Sequence, residues 1–490
     1  MNRSTMLATA GDASIDWDII VIGGGATGLG AALDAAARGY RTLLLEQGDF
    51  AEGTSSRSTK LIHGGVRYLR NGELGLVRES LRERGRLLRN APHLVHPLAF
   101  VVPAYRWHER LFYGAGLTAY DGLAGKLGIG RTEHLSRDAV TGRVANLSRS
   151  GLRGGTLYWD AQFDDARLAI ALARTAVDRG ATVINHVKVV ELIKENGIVR
   201  GVIAADRISG DRIRARGKVV INATGVFADE VRHLDDPGGG TVIEPSQGIH
   251  LVVDQSFLGG ETGVMIPRTD DGRVLFAIPW HDRLVIGTTD TPDVPLSADP
   301  RAREEEIDYL LEHAGRYLEQ APTRADVRAT FAGLRPLVRP RGGAGRTAAI
   351  SRDHSIFVSK SGLVTIAGGK WTTYRKMAED TVRRAATVGG LPMRPCLTAD
   401  LTLLDRPAAA ELANADPAWL EQLDPGLPWT IADAVAAVRF EMAVTVDDVL
   451  SRRTRIAFLD EAAAARCAPA VSEILKRESP GASPSFADPA

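Results

Sequence analysis

At 490 residues, with 60 Lys and Arg against 60 Asp and Glu, the chain has no formal net charge and no overall field to attract nucleic acid, so any anion must be held by a local site. Hydrophobic residues at 44% and charged residues at 24% describe ordinary globular material, long enough for two or three domains. Only Cys396 and Cys467 are present and no C-x-x-C occurs, which excludes a disulfide framework and a structural zinc site and leaves no metal site to expect.

No apolar run reaches the ~18 residues needed to span a bilayer. The first 15 residues are small and polar, without the basic and apolar segments of a signal peptide, and read as a disordered leader. Residues 18–22, Asp-Ile-Ile-Val-Ile, then form a β-branched run typical of a buried parallel strand. It enters Gly23-Gly24-Gly25-Ala26-Thr27-Gly28, a G-x-G-x-x-G turn. Gly23 permits the tight turn, Gly25 lets backbone amides approach a pyrophosphate, and Gly28 lets the following helix pack on the strand. A helix over 27–38 and a strand over 41–45 complete the unit. Glu46 ends it, about 20 residues past the glycines, where a carboxylate can accept from a ribose hydroxyl. This is a dinucleotide-binding unit.

Residues 53–60 are a loop of hydroxyls with two cations, Arg57 and Lys60, of the kind that wraps anions. Leu61-Ile62-His63-Gly64-Gly65-Val66-Arg67-Tyr68-Leu69 follows, its paired glycines allowing close backbone approach to something bulky. Residues 73–90 read as a solvated surface helix with Leu76, Leu81 and Leu88 on its apolar face. Further on, Leu111, Ala115, Ala119, Leu123 and Leu127 recur at helical spacing, with Phe112, Tyr120 and Ala124 on the adjoining row and Arg106, Arg110 and Lys126 beside them. A helix lying in a membrane interface and a helix packed on a sheet show the same rows, and both readings stand.

A helix is expected over 164–179, a strand over 182–192, a small antiparallel excursion over 198–216, and a second buried strand at 219–225. Alternating strands from 242 to 291 suggest an antiparallel sheet that holds the substrate. A helix over 303–318 and a strand over 327–334 lead into Arg335-Pro336-Leu337-Val338-Arg339-Pro340. Strands at 356–359 and 363–367 then run into Gly368-Gly369-Lys370-Trp371-Thr372-Thr373 and a helix over 374–388. The Gly-Gly-Lys is no Walker A loop, since Val364 stands where the first glycine is required and Trp371 where Ser or Thr must follow the lysine. Helices near 431–441, 446–453 and 461–465 form a C-terminal helical domain.

The stretches SSRSTKLIHGGVRYL (55–69), INATG (221–225), FAIPW (276–280), IGTTD (286–290), FAGLRPLVRP (331–340), AGGKWTTYRKMAED (367–380) and VRFEMAVTVDDVLSRRTR (438–455) carry a specific likeness. Over nearly its whole length the chain resembles the FAD-dependent glycerol-3-phosphate dehydrogenases of the aerobic, respiratory type. The resemblance implies an α/β fold, α+β overall, with a discontinuous Rossmann-like FAD-binding domain of the glutathione-reductase type over 16–95, 150–235 and 330–390. An antiparallel-sheet substrate domain would take 96–149 and 236–329, with 106–126 as its membrane-contacting stretch, and a helical domain 396–490. The implied reaction is oxidation of sn-glycerol 3-phosphate to dihydroxyacetone phosphate by hydride transfer to the flavin, with electrons passed to a membrane quinone. The implied place is the inner face of the cytoplasmic membrane, peripherally bound, and a homodimer is compatible with the resemblance.

For FAD the candidates are Gly23, Gly25, Gly28, Glu46, Thr54, Ser55, Ser58, Thr224, Gly225, Gly368, Gly369, Lys370 and Thr372. A phosphate dianion needs two or more cationic donors, for which Arg67, Arg335 and Lys370 are the candidates, with Arg352 as a fourth and Tyr68 as a hydroxyl donor. The proton acceptor cannot be arginine, which leaves His63, His250 or a Lys370 of lowered pKa. His63, beside Gly64 and Gly65, is the better placed by sequence. Three rivals remain: an oxidase of the same family that uses oxygen, an amino-acid oxidase on the same fold, and a flavin-binding module without turnover. The arginine-rich set argues against the second, which needs a carboxylate clamp.

Overall fold

A computed structural model describes residues 1–66, 72–267, 269, 273–292, 294–339, 354–406, 412, 414 and 416–478. The Asp16–Ile22 strand buries Ile19 and Val21 on one face and Ile20 and Ile22 on the other, as a central strand must. It pairs in parallel with Arg212–Asn222 and Thr42–Leu45. The parallel run extends to Thr182–Ile184 on one side and Val364–Gly368 on the other, and His354–Val358 closes that edge antiparallel. Helices Ala26–Ala37, Asp165–Asp178 and Tyr374–Val388 pack on the Ile19 face. On the Ile20 face, Val187–Glu195 and Ile198–Asp206 form a ladder with the first half of Arg212–Asn222, whose second half joins the parallel sheet.

The second sheet runs, among the described residues, from Thr291–Pro292 through Ile243–Asp254, Arg283–Gly287, Leu275–Trp280, Gly263–Ile266, Val95–Ala104 and Gly154–Phe163 to Leu61–Ile62. Ala329–Val338 pairs with Ile243–Asp254 along its length. This is mostly the expected antiparallel sheet, but two of its long strands, Val95–Ala104 and Gly154–Phe163, pair over ten residues and were not foreseen. They also shift the expected boundaries. Residues 154–163 and 329–338, assigned from sequence largely to the flavin domain, hydrogen-bond into the second sheet.

Three further expectations change. Residues 1–15 are not a disordered leader: Arg3–Gly11 is a helix capped by Asn2, with Ala10 buried and Arg3 paired to Asp206 at 2.6 Å. The surface-helix reading of 73–90 also fails, because Leu74–Asn90 buries Val77, Leu81, Glu83 and Arg84, the charged pair being matched by Arg375 and Asp160. Trp107–Ala124 divides the two readings of its stripe. Gly114, Leu117, Tyr120 and Ala124 are buried, whereas Trp107, Leu111 and Phe112 are 73%, 63% and 62% exposed.

Helices Ile431–Glu441 and Glu461–Glu478 cover the face of the second sheet that carries Val252, Ile278, Trp280 and Phe331. Charges tie this unit to the first domain. Arg167 makes a bidentate pair with Glu441 at 2.7 and 2.6 Å, and Asp49 takes both Arg452 and Arg453. Burial alone would raise the Glu441 carboxyl, but the charge and hydrogen bonds of Arg167, with Arg453 and Arg406, outweigh it and lower the pKa from 4.5 to about 2. A carboxyl lowered on folding contributes stability that is complete above its unfolded pKa and is lost as pH falls through the folded one, here on the order of 3 kcal/mol. Glu441→Gln should therefore cost about 3–5 kcal/mol in urea unfolding at neutral pH, with Arg167 left buried and unpaired. The gap from wild type should narrow as pH falls from 4.5 towards about 2.

Candidate active site

A cavity of about 650 Å³ opens where the carboxyl ends of the parallel strands meet the second sheet. The three glycines of the first turn divide their work there. Gly23 adopts φ 108°, and a Cβ on it would lie 2.6 Å from the Ala223 carbonyl oxygen. Gly25 caps the Ala26–Ala37 helix and lines the cavity; a Cβ there would meet Ser55 Oγ at 3.0 Å. Gly28 does not line the cavity: its Cβ would sit 1.9 Å from the Gly23 oxygen, so it serves helix–strand packing. The helix N-terminus thus faces open space with bare backbone, as an anion cradle requires. Glu46 lines the same end, its carboxylate accepting from the amides of Gly24 at 2.5 Å and Gly48 at 2.8 Å. Burial raises it from 4.5 to about 7, against those two hydrogen bonds.

The hydroxyl loop holds itself together more than it reaches outward. Thr54, Ser55 and Ser58 all line the cavity, yet Thr54 donates to the Leu334 oxygen, Ser55 Oγ accepts from the Ala26 amide, and Ser58 Oγ donates to Asp165 at 2.7 Å. Of its two cations only Arg57 faces the cavity; Lys60 turns away into a buried pair with Asp165, because that carboxylate needs a counter-charge. Thr224, Gly225, Gly368, Gly369, Lys370 and Thr372 line the opposite wall. There Trp371 Nε1 donates to the Ser55 oxygen at 2.8 Å, and Thr372 Oγ1 bonds both the amide and the carbonyl of His63. The paired glycines after His63 do allow close approach, but to the protein itself: a Cβ on Gly64 would meet Leu81 and the Tyr120 hydroxyl at 2.5 Å.

His63, His250, Arg335 and Lys370 all reach the cavity wall. Arg67, Tyr68 and Arg352 lie outside the described residues. His250 is buried at 3% exposure, its Nε2 is 2.9 Å from Thr59 Oγ1, and its ring stacks on Phe331 with centroids 4.7 Å apart. Burial, then the charges of Lys60 and Arg335, hold its pKa well below 6.5, so the imidazole is neutral at pH 7. Arg335 sits in the wall on the Ala329–Val338 strand, pairing with Asp290 at 3.1 Å and donating to the oxygens of Gln247 and Thr289 and to Thr288 Oγ1. Gly248 leaves it room, since a Cβ there would fall 2.1 Å from Arg335 Nη2.

The residues fit a bound dinucleotide: a glycine cradle at a helix N-terminus where a Cβ would crowd Ala223 and Ser55, a carboxylate at the adjoining strand end, and a chamber of cations and imidazoles beyond. Comparison with known proteins agrees. The profile described as "FAD dependent oxidoreductase" matches residues 18–375, and that of the "C-terminal domain of alpha-glycerophosphate oxidase" matches 405–480. The mitochondrial glycerol-3-phosphate dehydrogenase of Homo sapiens is 39% identical, over 97% of this chain and 72% of its own. That of Arabidopsis thaliana is also 39% identical, over 96% and 84%. The chain belongs to the FAD-dependent glycerol-3-phosphate dehydrogenase family. A solved member of the family, the Bacillus halodurans enzyme complexed with FAD, superposes with a TM-score of 0.75 at 32% identity, covering 97% of this chain and 93% of its own.

FAD is the cofactor of this family. Sequence reasoning missed Thr59 as the partner of His250. It also missed Val187, Val189 and Val190, which line the cavity from the ladder on the Ile20 face. Only the alternation of that strand could have flagged the valines. If the pyrophosphate lies against Gly25, a branched side chain there would crowd Ser55 and fill its approach, so Gly25→Val should purify with little or no flavin absorbance per protein. Stoichiometric FAD in that variant would contradict the placement.

Proposed function

We propose that the protein oxidises sn-glycerol 3-phosphate to dihydroxyacetone phosphate, with electrons leaving to a membrane quinone. The observation that carries this reading is the joining, in one cavity, of the dinucleotide cradle to the neutral imidazole of His250, with the cation Arg335 beside it and Lys370 lining the same cavity. Bound FAD supplies the hydride acceptor for the substrate carbon. His250 accepts the proton of the substrate hydroxyl, which a neutral buried imidazole can do and a guanidinium cannot. Lys370 and Arg335 offset the phosphate charge, with Arg67, Tyr68 and Arg352 as further candidates. The turn at Gly368, Gly369 and Lys370, followed by the Tyr374–Val388 helix, presents amides and a helix N-terminus that favour negative charge.

Arg335 also supports a structural reading, because its terminal N–H groups already point at four protein acceptors around residues 247 and 288–290. The two readings separate by substrate. If Arg335 serves the phosphate, Arg335→Ala should raise KM for glycerol 3-phosphate about ten- to a hundredfold and leave the poor oxidation of plain glycerol nearly unchanged. Equal loss on both substrates would assign it to holding the 288–290 segment. Glycerol 3-phosphate added anaerobically should bleach the bound flavin. Hydrogen peroxide released under air at the rate of substrate loss would replace the quinone with oxygen.

The membrane reading rests on Trp107, Leu111 and Phe112, exposed beside Arg106 and Arg110 on the outer face of the Trp107–Ala124 helix. No helix among the described residues is long and apolar enough to cross a membrane. Leu111→Ser with Phe112→Ser should move the protein from the membrane to the soluble fraction while preserving activity with a water-soluble dye. Unchanged membrane binding would remove this helix from the interface.

A further inference from the structure

Behind the wall that carries His250, the side chain of Lys60 is wholly buried and its ammonium donates to the Ser56 oxygen at 2.7 Å and to Asp165 Oδ2 at 2.8 Å. Asp165 is shared: it also accepts from the Ser58 amide at 3.0 Å, from Ser58 Oγ at 2.7 Å and from Arg455 Nη2 at 3.0 Å. Lys60 itself has φ 61°, a left-handed conformation that a lysine keeps only when its surroundings impose it. Two routes lead from this clamp to His250. The preceding residue, Thr59, places Oγ1 2.9 Å from His250 Nε2. The ring of Phe331, whose centroid is 4.7 Å from the Lys60 ammonium, also stacks on the imidazole at 4.7 Å and 15°. His250 Nδ1 is buried and has no hydrogen-bond partner among the described residues.

We propose that Lys60 is a positioning residue for His250: by clamping residues 56–60 through Asp165 and Ser56, it seats Thr59 Oγ1 as acceptor of the Nε2–H and so fixes the tautomer and the orientation of the imidazole in the cavity wall. The inference rests on the reading of His250 as proton acceptor. In the step it serves, the substrate hydroxyl would lose its proton to the imidazole while the carbon bearing that hydroxyl gives its hydride to bound FAD, the O–H electron pair becomes the second bond of the carbonyl, and the imidazolium returns the proton to solvent. The charged groups that face His250 are Lys60 and Arg335, both cations, and they act with burial to keep it neutral. Those that face Lys60 are Asp165, Asp164 and Arg455; burial and Arg455 lower its pKa from 10.5 to about 7 against the pull of the two carboxylates. With Lys60 gone, Asp165 would be left with less compensation and the imidazolium would form more easily.

The test is NMR of ring-labelled histidine in the FAD-loaded protein, with His250→Asn to assign the signal. In wild type the His250 signal should stay that of a neutral ring as pH falls through about 6.5, with shifts reporting the Nε2–H tautomer. Lys60→Met should raise its pKa by about one unit or more, and Lys60→Arg should keep the wild-type value. Thr59→Val should shift the tautomer balance and lower kcat about tenfold with FAD content and KM little changed. A His250 titration unmoved in Lys60→Met, or a tautomer unmoved in Thr59→Val, overturns the proposal; if Lys60→Met does not fold, Thr59→Val decides alone. Should the titration move as expected while the acid limb of kcat fails to follow it, the positioning stands and the proton-acceptor reading of His250 falls.

Discussion

The buried carboxylate of Asp165 accepts from Lys60, Ser58 and Arg455, which belong to the hydroxyl loop and to the C-terminal unit, and the loop between them takes its shape from that convergence. A second carboxylate does the same just ahead of that loop, where Asp49 gathers Arg452, Arg453 and Asn185. Buried pairs of this kind add little net stability over an apolar core, but losing one partner is expensive. Their effect is to make one arrangement far better than its alternatives. The loop from 49 to 60, which forms one wall of the cavity, is therefore fixed by residues drawn from three separated parts of the chain. Asp49, His186 and Asp448 lie close enough to hold an ion, yet Arg452 and Arg453 already supply the positive charge an ion would bring.

Burial acts on both signs of charge around the cavity and drives them towards the same pH. Glu46 is raised to about 7 and Lys60 lowered to about 7, while His250 is held neutral. Each has its charged form disfavoured by the same exclusion of water. Arg335 stays charged as a guanidinium does, and Asp290 stands against it at 3.1 Å.

What was legible in the sequence was local. The first strand–turn–helix unit, the Tyr374–Val388 helix after its glycines, and Ile431–Glu441 with the Thr430–Asp433 capping box all carry their own start or stop signals. The strands Val95–Ala104 and Gly154–Phe163 do not. Pro97 and Pro103 interrupt the first, the second shows no clean alternation, and their pairing is with each other across a long insertion. The site divides in the same way. Gly23, Gly25, Gly368, Gly369 and Arg335 stand in recognisable stretches and reach one cavity, whereas His250, which reaches it too, stands in none of them. Lys60 stands in such a stretch too, but its burial depends on Asp165 and Arg455, which no local pattern connects to it. Arg84 and Glu83 misled for the same reason: on a helix they read as solvent-facing until Asp160 and Arg375 are brought against them.

Trp107–Ala124 is joined to the wall bearing His63 through the Tyr120 side chain. The Tyr120 hydroxyl donates to Asp160 and accepts from the Gly64 amide at 2.6 Å. Asp160 is held by Arg84, and the residue before Gly64 is His63, whose backbone is pinned by Thr372 on the opposite cavity wall. Burial pushes the Tyr120 phenol well above its usual range, so it stays protonated and keeps donating. The helix therefore has two independent faces: one that anchors the wall bearing His63, and one, at Leu111 and Phe112, that contributes nothing to that anchor. Substitution at Tyr120 must disturb the cavity along with the helix, because it leaves Asp160 and the Gly64 amide short of a partner. Only changes confined to the outer face can separate what this helix does at a surface from what it does for the site.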